Sequence, residues 1–226
     1  MSVDGKISSG ADDQLDPDQD WKRISGVAEG LSQYYEIEQT TDLYNLNTGR
    51  VMAKIGMNSK KDIPERTPTT FFIIDNKPHL NSSGVQYLSQ KAKQLYVVTN
   101  NKNHPAFKVR AKLSNVEVIF YDGKIDLTDL FRRMCKDYGI EHLTIQSGGT
   151  LNTALLRLGL IDRISIVMAP LLVGGKLTPT LFDGDAIMEQ SQLSELKPLK
   201  LINCEILKDS YIRLEYDVLN GTASNK

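Results

Sequence analysis

The sequence predicts an α/β fold with a mostly parallel central sheet, helices on both faces and a C-terminal antiparallel hairpin. Compact β-rich runs recur at FFIID (71 to 75), LYVVT (95 to 99) and VEVIFY (116 to 121), the composition of buried strands. Helix-compatible segments separate them, which is the rhythm of parallel strands joined by crossover helices. The end of the chain differs: LKLINCEIL (199 to 207) and YIRLEYDVL (211 to 219) flank a turn at Asp209-Ser210. Such a hairpin has no place in a purely parallel sheet, so an antiparallel C-terminal edge is expected.

In chain order, residues 8 to 20 (SSGADDQLDPDQD) are polar and broken by Gly10 and Pro17, an exposed loop ahead of Trp21. Ile24, Val27, Ala28, Leu31, Tyr34 and Tyr35 then fall at spacings of three and four, which predicts a helix over 22 to 37. A short strand runs through Leu43 to Leu46, and NSKKDIPERTP (58 to 68) is a basic, Pro-broken loop. A helix from Asp126 to Tyr138 buries Leu127, Leu130, Phe131 and Met134 and stops at Gly139. A strand at 142 to 146, a helix from Thr150 to Leu158 and a strand at 163 to 170 complete the pattern. One domain over residues 1 to 219 is expected, with 220 to 226 as a disordered tail.

Composition narrows the functional classes. The 226 residues are 40% hydrophobic, enough for a sizeable core. Lys and Arg (27) nearly balance Asp and Glu (28), so no overall field favours nucleic acid or an anionic membrane. No apolar run approaches the roughly 18 residues of a membrane span. The first 20 residues are acidic and lack the apolar centre of a signal peptide, so the cytoplasm is the expected compartment. Cys135 and Cys204 fall in a helical and a strand pattern, which reads as two reduced, buried thiols, with no cysteine zinc site.

The most informative segment is the apolar strand that runs through Gln146 into Ser147-Gly148-Gly149-Thr150 and straight into a helix. Glycines let an anion approach the backbone, and a helix start adds partial positive charge, so a dinucleotide pyrophosphate fits on residues 147 to 152. The competing reading is a tight strand-to-helix turn in which the glycines only meet backbone geometry. The G-x-G-x-x-G fingerprint is absent, as is an acidic residue about 20 positions on, which disfavours a Rossmann domain.

Taken together, SGGTLNTALLRLGLIDRISIVMAPLLVGG, MSVDGKI and FFIIDNKPHL resemble the pyrimidine reductases of riboflavin biosynthesis. That family includes the reductase half of the bifunctional deaminase-reductase and has the dihydrofolate-reductase-like fold. The resemblance implies hydride transfer from NADPH that turns the ribosyl side chain of a ribosylamino-pyrimidine 5′-phosphate into ribityl. It places Gly148, Gly149, Thr150, Leu151 and Asn152, after Ser147, on the cofactor. Asn76, Trp21 and Met1 are further implied cofactor contacts, although a lone Trp at a helix start is more often a packing anchor. It also implies a strand before S-x-D-G-K, which is expected to be absent or truncated in a chain numbered from Met1. A homodimer formed through the sheet edge and C-terminal region is expected as well.

Some positions depart from the family pattern. Gln146 stands where better-known members carry Glu; it can still hydrogen-bond a pyrimidine edge, without charge. Thr48-Gly49-Arg50 replaces G-x-x-T, and Gly49 with Arg50 is expected at a cofactor phosphate. Glu38 stands near a substrate-binding Arg of several members, so Glu38 and Gln146 are the candidate substrate contacts. Asp4 is the candidate catalytic polar group near the reacting sugar. The run Thr99-Asn100-Asn101-Lys102 offers donors to a 2′-phosphate with no carboxylate to repel it, favouring NADPH over NADH. Lys60, Lys61 or Arg66 is a candidate for the substrate phosphate. His79, His104 and His142 read as exposed loop histidines. Two alternatives stay open: a related NADPH reductase of another substrate, and a nucleotide-binding regulator without turnover. The H-x-E and P-C-x-x-C zinc signature of the fused deaminase is missing.

Overall fold

A computed structural model describes residues 1–221. The elements are α1 (Pro17–Asp20), α2 (Ser32–Glu38), β1 (Tyr44–Thr48), α3 (Gly49–Lys54), β2 (Thr70–Ile74), α4 (Ser82–Lys91), β3 (Gln94–Thr99), α5 (Ala106–Arg110), β4 (Val116–Phe120), α6 (Leu127–Tyr138), β5 (Thr144–Ile145), α7 (Gly149–Arg157), β6 (Arg163–Met168), β7 (Leu199–Ile206) and β8 (Ile212–Val218). They form two compact units, residues Thr41–Ser147 and residues Met1–Thr40 with Gly148 onward.

The first unit is the predicted parallel sheet, in the order β4-β3-β2-β1-β5. Period-two alternation sends successive side chains to opposite faces. Ile73, Leu95, Val97 and Val116 pack with Met52 of α3, Val85 and Leu88 of α4, and Ala106 and Val109 of α5. On the other face, Phe72 stacks on Tyr96 with centroids 4.5 Å apart, and Tyr138 of α6 meets both rings edge-on. Each fully buried Leu or Phe contributes roughly 1.5–3 kcal/mol, so helices on both faces follow from this alternation. Asp126 caps α6 by accepting from Asp129 N–H, and Gly139 ends it at φ 66°, the left-handed conformation that glycine adopts without penalty.

In the second unit the hairpin strands do not extend the parallel sheet. They form a separate three-stranded sheet, β6-β8-β7, antiparallel throughout. Near the end of β6 the chain start pairs alongside: the Met1 amine donates to Val167 O at 2.7 Å and Met1 O accepts from Ala169 N at 2.8 Å. The turn at Asp209-Ser210 is present, with both residues at positive φ.

Three expectations need correction. The helix predicted over 22 to 37 is only α2 at its end, preceded by single turns at Trp21–Arg23 and Ala28–Gly30. Gly26 at φ 85° breaks it, and Gly30 is in close approach to the Tyr211 ring, 2.5 Å from where a Cβ would sit. The thiols of Cys135 and Cys204 are unpaired but exposed: Cys135 lies one step round α6 from buried Met134, and every residue of β7 is exposed. Finally, Asn220 is held by its Nδ2 on Ile161 O at 3.0 Å; the rest of the predicted tail, 222 to 226, lies outside the described residues.

Candidate functional site

Open α/β sheets bind ligands outside the carboxyl ends of their strands, and in the parallel unit those ends carry Thr48-Gly49, Asp75-Asn76, Thr99-Asn100 and Gln146. Their organiser is a residue the sequence reading left without a role. Asp75 is buried, and its carboxylate accepts from His104 Nε2 at 3.0 Å, His79 Nδ1 at 2.8 Å, and the backbone amides of His79 and Leu80 at 3.2 and 3.0 Å. Burial pushes this carboxyl up, but the hydrogen bonds from His104, Leu80 and His79 outweigh it and hold it below its ordinary value. His104 Nδ1 accepts from Ala106 N at 3.1 Å, so its proton sits on Nε2 and the ring that donates to Asp75 is neutral. His104 is thus a fully buried link from β2 to α5, not the exposed loop residue expected; His79 and His142 are exposed.

Around this carboxylate the strand ends are laced together. Thr99 is fully buried, its hydroxyl donating to Asp75 O at 2.8 Å and accepting from Asn101 N at 3.1 Å. Asn76 accepts from Asn100 N, and Asn100 Nδ2 donates to Gly123 O. Asp122 stands 3.6 Å from Lys102, so the 99–102 run does have a carboxylate beside it, brought by the turn after β4, which sequence spacing does not reveal. A Cβ on Gly49 would stand 2.1 Å from the Asp75 carboxyl carbon, which gives this glycine a packing reason of its own. Arg50 is exposed at the first turn of α3, and Thr48 caps that turn by accepting from Val51 N. Gln146 is half-buried; its N–H donates to Leu46 O, and its Oε1 accepts from Nδ2 of buried Asn45. Arg66, by contrast, precedes β2 and lines a shallow cleft with Ser89, Gln90 and Asn115 at the amino end of the sheet.

In the other unit, the glycine turn divides its tasks. A Cβ on Gly149 would meet Thr180 O at 2.3 Å and Asp183 N at 2.8 Å, so Gly149 is demanded by packing. Nothing lies within 4 Å of a Cβ on Gly148, and no side chain caps α7. Leu151 N and Asn152 N already donate to Gly148 O at 3.1 Å each, so the amides at the α7 start that can face an anion are those of Gly149 and Thr150. Thr150 is exposed and Leu151 half-buried, while Asn152 is buried with Nδ2 on Leu181 O at 2.9 Å. Asp4 holds a loop: it accepts from Ser2 Oγ at 2.6 Å, Val173 N at 3.1 Å and Gly174 N at 2.6 Å. Those bonds, led by Ser2, lower its carboxyl to about 2. Trp21 is buried with Val27, Leu31, Val167, Ala169 and Tyr211, a packing anchor. Glu38 ends α2, half-buried.

Residues 1–208 match the family described as the RibD C-terminal domain. The chain belongs to that family. Its relatives include the 2,5-diamino-6-ribosylamino-4(3H)-pyrimidinone 5′-phosphate reductases of Archaeoglobus fulgidus and Methanothermobacter thermautotrophicus. Each is 26% identical, over 87% of this chain, and the match spans 89% and 87% of those proteins respectively. Among solved structures, Acinetobacter baumannii RibD superposes with a TM-score of 0.65 at 19% identity, over 96% of this chain and 55% of its own. The pyrimidine reductase-like protein of Corynebacterium diphtheriae gives 0.65 at 15% identity, over 97% and 89%. These two likenesses establish the RibD-type α/β fold. No helix among the described residues is long and apolar enough to cross a membrane, and no group of His, Cys, Asp or Glu among them is arranged to hold a metal ion.

The sequence reading missed Asp75, Asn45, Asn47 and Asp183. Asp75 had a visible signal, a carboxylate closing an apolar strand run, but its histidine partners lie 4 and 29 positions away. Asn45 and Asn47 were legible only as polar interruptions of a short strand.

Proposed function

We propose that residues 1–219 act as one NADPH-dependent reductase domain that converts the ribosyl side chain of a ribosylamino-pyrimidine 5′-phosphate to ribityl in riboflavin biosynthesis, in the cytoplasm. The observation that carries this reading is the passage from Ser147 into α7 within the matched family region: a turn open at Gly148, leading into a helix start that no side chain caps. That is the chemistry a dinucleotide pyrophosphate needs. Ser147, Gly148, Gly149, Thr150 and Leu151 would hold the pyrophosphate, with Asn152 keeping the helix start in place through Leu181. Gly49, Arg50, Asn76 and the Thr99–Lys102 run are assigned to the remainder of the cofactor.

Bound NADPH would supply the hydride, delivered from its C4 to C1′ of the sugar. The chain's own work is alignment, since bringing donor and acceptor carbons together in a fixed geometry removes much of the barrier. Gln146 and Glu38 orient the substrate. Asp4 serves the sugar end by fixing the Val173–Gly174 backbone, which makes it a positioning residue.

The assembly assigned to the protein is a homodimer. β7 is an edge strand whose Leu199, Leu201, Ile202 and Ile206 are all exposed, and natural proteins rarely leave such an edge uncovered. The function is tested by following NADPH absorbance with the amino and the deaminated ribosylamino-pyrimidine phosphates, with the product mass measured. Oxidation coupled to a gain of two hydrogens supports the assignment; NADPH binding without turnover on either compound overturns it.

A further inference from the structure

Asp75 is used twice, and the two uses bracket one loop. Its main-chain O accepts from Thr99 Oγ1 at 2.8 Å, and its carboxylate Oδ2 accepts from His104 Nε2 at 3.0 Å. Thr99 ends β3 and His104 stands two residues before α5, so one residue at the end of β2 grips both ends of the chain that joins them. Both grips are closed to water: Thr99 is 0% exposed and His104 1%, whereas Lys102 and Asn103 between them are exposed. An apolar pair at 75 and 104 would fill this region without desolvating a carboxylate and an imidazole. The polar pair therefore asks for a reason beyond stability.

Between the grips the loop is wound on itself. Asn101 N donates to Thr99 Oγ1 at 3.1 Å, His104 N to Asn101 O at 3.1 Å, and Asn103 N to Asn101 Oδ1 at 2.9 Å. The His104 ring is oriented by its two partners: the Ala106 amide can only donate and so faces Nδ1, which leaves the Nε2 proton for the Asp75 carboxylate. The Lys102 side chain is 75% exposed, and its contact at 3.6 Å is with Asp122, itself 87% exposed, a pair that water screens. Its ammonium is available to a phosphate, and its place is set by the backbone that Thr99 and His104 anchor.

We propose that Asp75 and His104 are positioning residues that shape the 99–104 loop to receive the 2′-phosphate of the cofactor, so that the bond between them sets how far NADPH is preferred over NADH. This rests on the reading above in which the Thr99–Lys102 run belongs to the cofactor site. A phosphate is bound by several donors at once, and affinity is gained when those donors are held together before the ligand arrives. With the His104 end released, the donors of the loop must be gathered at the moment of binding. NADH carries a hydroxyl where NADPH carries that phosphate, so it draws little on them. Neither Asp75 nor His104 needs to touch the cofactor for this effect.

The test is the ratio of the Kd values of NADH and NADPH, measured by fluorescence titration of the full chain. Wild type is expected to bind NADPH more tightly by about tenfold or more. His104→Asn and His104→Gln separate the two bonds of the ring. The shorter amide keeps an acceptor for Ala106 N, as in an Asx-turn, but does not reach Asp75. It should weaken NADPH about tenfold while NADH changes less than about twofold. The longer amide can donate to Asp75 and should hold the ratio near the wild-type value. Both cofactors meet the same folded fraction of each variant, so partial unfolding cancels in the ratio. Lys102→Ala, on an exposed side chain, should lower the ratio without touching the Asp75–His104 bond and reports whether the loop receives the phosphate. If Lys102→Ala lowers the ratio but His104→Asn leaves it unmoved, weakens both cofactors equally, or is matched by His104→Gln, the inference is overturned and the placing of the loop stands. A ratio unmoved in Lys102→Ala, or no preference in wild type, removes both, while the reductase assignment is decided separately by product mass.

Discussion

Two histidines share the Asp75 carboxylate, and distance and burial rank them oppositely. His79 is closer, at 2.8 Å against 3.0 Å for His104, but its side chain is 38% exposed whereas that of His104 is fully buried. In His104→Ala, Asp75 Oδ2 keeps only the Leu80 amide, and the Ala106 N–H loses its acceptor in a site closed to water. Leaving a buried carboxylate oxygen short of a donor and a buried amide without an acceptor costs about 1–3 kcal/mol each. In His79→Ala, water reaches the vacated position and the His79 backbone amide still donates to Oδ1, so the loss is about 1 kcal/mol or less. With a urea m-value of about 1–3 kcal/mol/M, the two variants should differ by roughly 1 M or more in unfolding midpoint. A second signature is pH. The Asp75 carboxyl lies below its ordinary value when folded, so its contribution is present above the ordinary carboxylate range and is lost as pH falls through the folded value. His104→Ala should flatten that acid decline. If His79→Ala is as destabilising as His104→Ala, the argument from burial is refuted.

Other expectations follow from the same geometry. Gly149→Ala should destabilise by about 1–3 kcal/mol in thermal or urea unfolding, since its Cβ meets Thr180 O and Asp183 N. Gly148→Ala should fold normally and weaken NADPH about tenfold by calorimetric titration, because a methyl there obstructs only an approaching anion. The clamp at Asp4, with its carboxyl at about 2 against an ordinary 3.8, contributes above pH 4 and fades toward pH 2, so protease protection of the 173–174 loop should be constant at neutral pH and drop only in acid. Leu201→Lys on β7 should shift sedimentation from dimer to monomer without loss of far-UV ellipticity.

Much of the architecture was legible because local composition and tertiary packing agree. The runs at 71, 95 and 116 are β2, β3 and β4, and the Asp126–Gly139 helix has its cap, stripe and stop where the residues place them. The reading failed where a long-range contact overrides local pattern. Gly26 and Gly30 break a helix-like spacing because Gly30 approaches Tyr211 from the far end of the sequence. The hairpin sits in its own sheet because β6 pairs with β8 on one side and meets the chain start on the other. At the site, the glycine turn was recognisable as a unit, but its division into a packing glycine and an open one depends on the 180–183 loop. His104 looked exposed because its neighbours in sequence are polar; its burial comes from Asp75, 29 residues earlier.

The central claim is hydride transfer from the cofactor to the sugar carbon. NADPH dideuterated at C4, incubated with the protein and, in parallel, the amino and the deaminated ribosylamino-pyrimidine phosphates, tests it directly by mass and NMR of the product. The account predicts a ribityl product carrying one deuterium at C1′. A ribityl product without deuterium, or cofactor oxidation with the ribosyl ring intact, would contradict it.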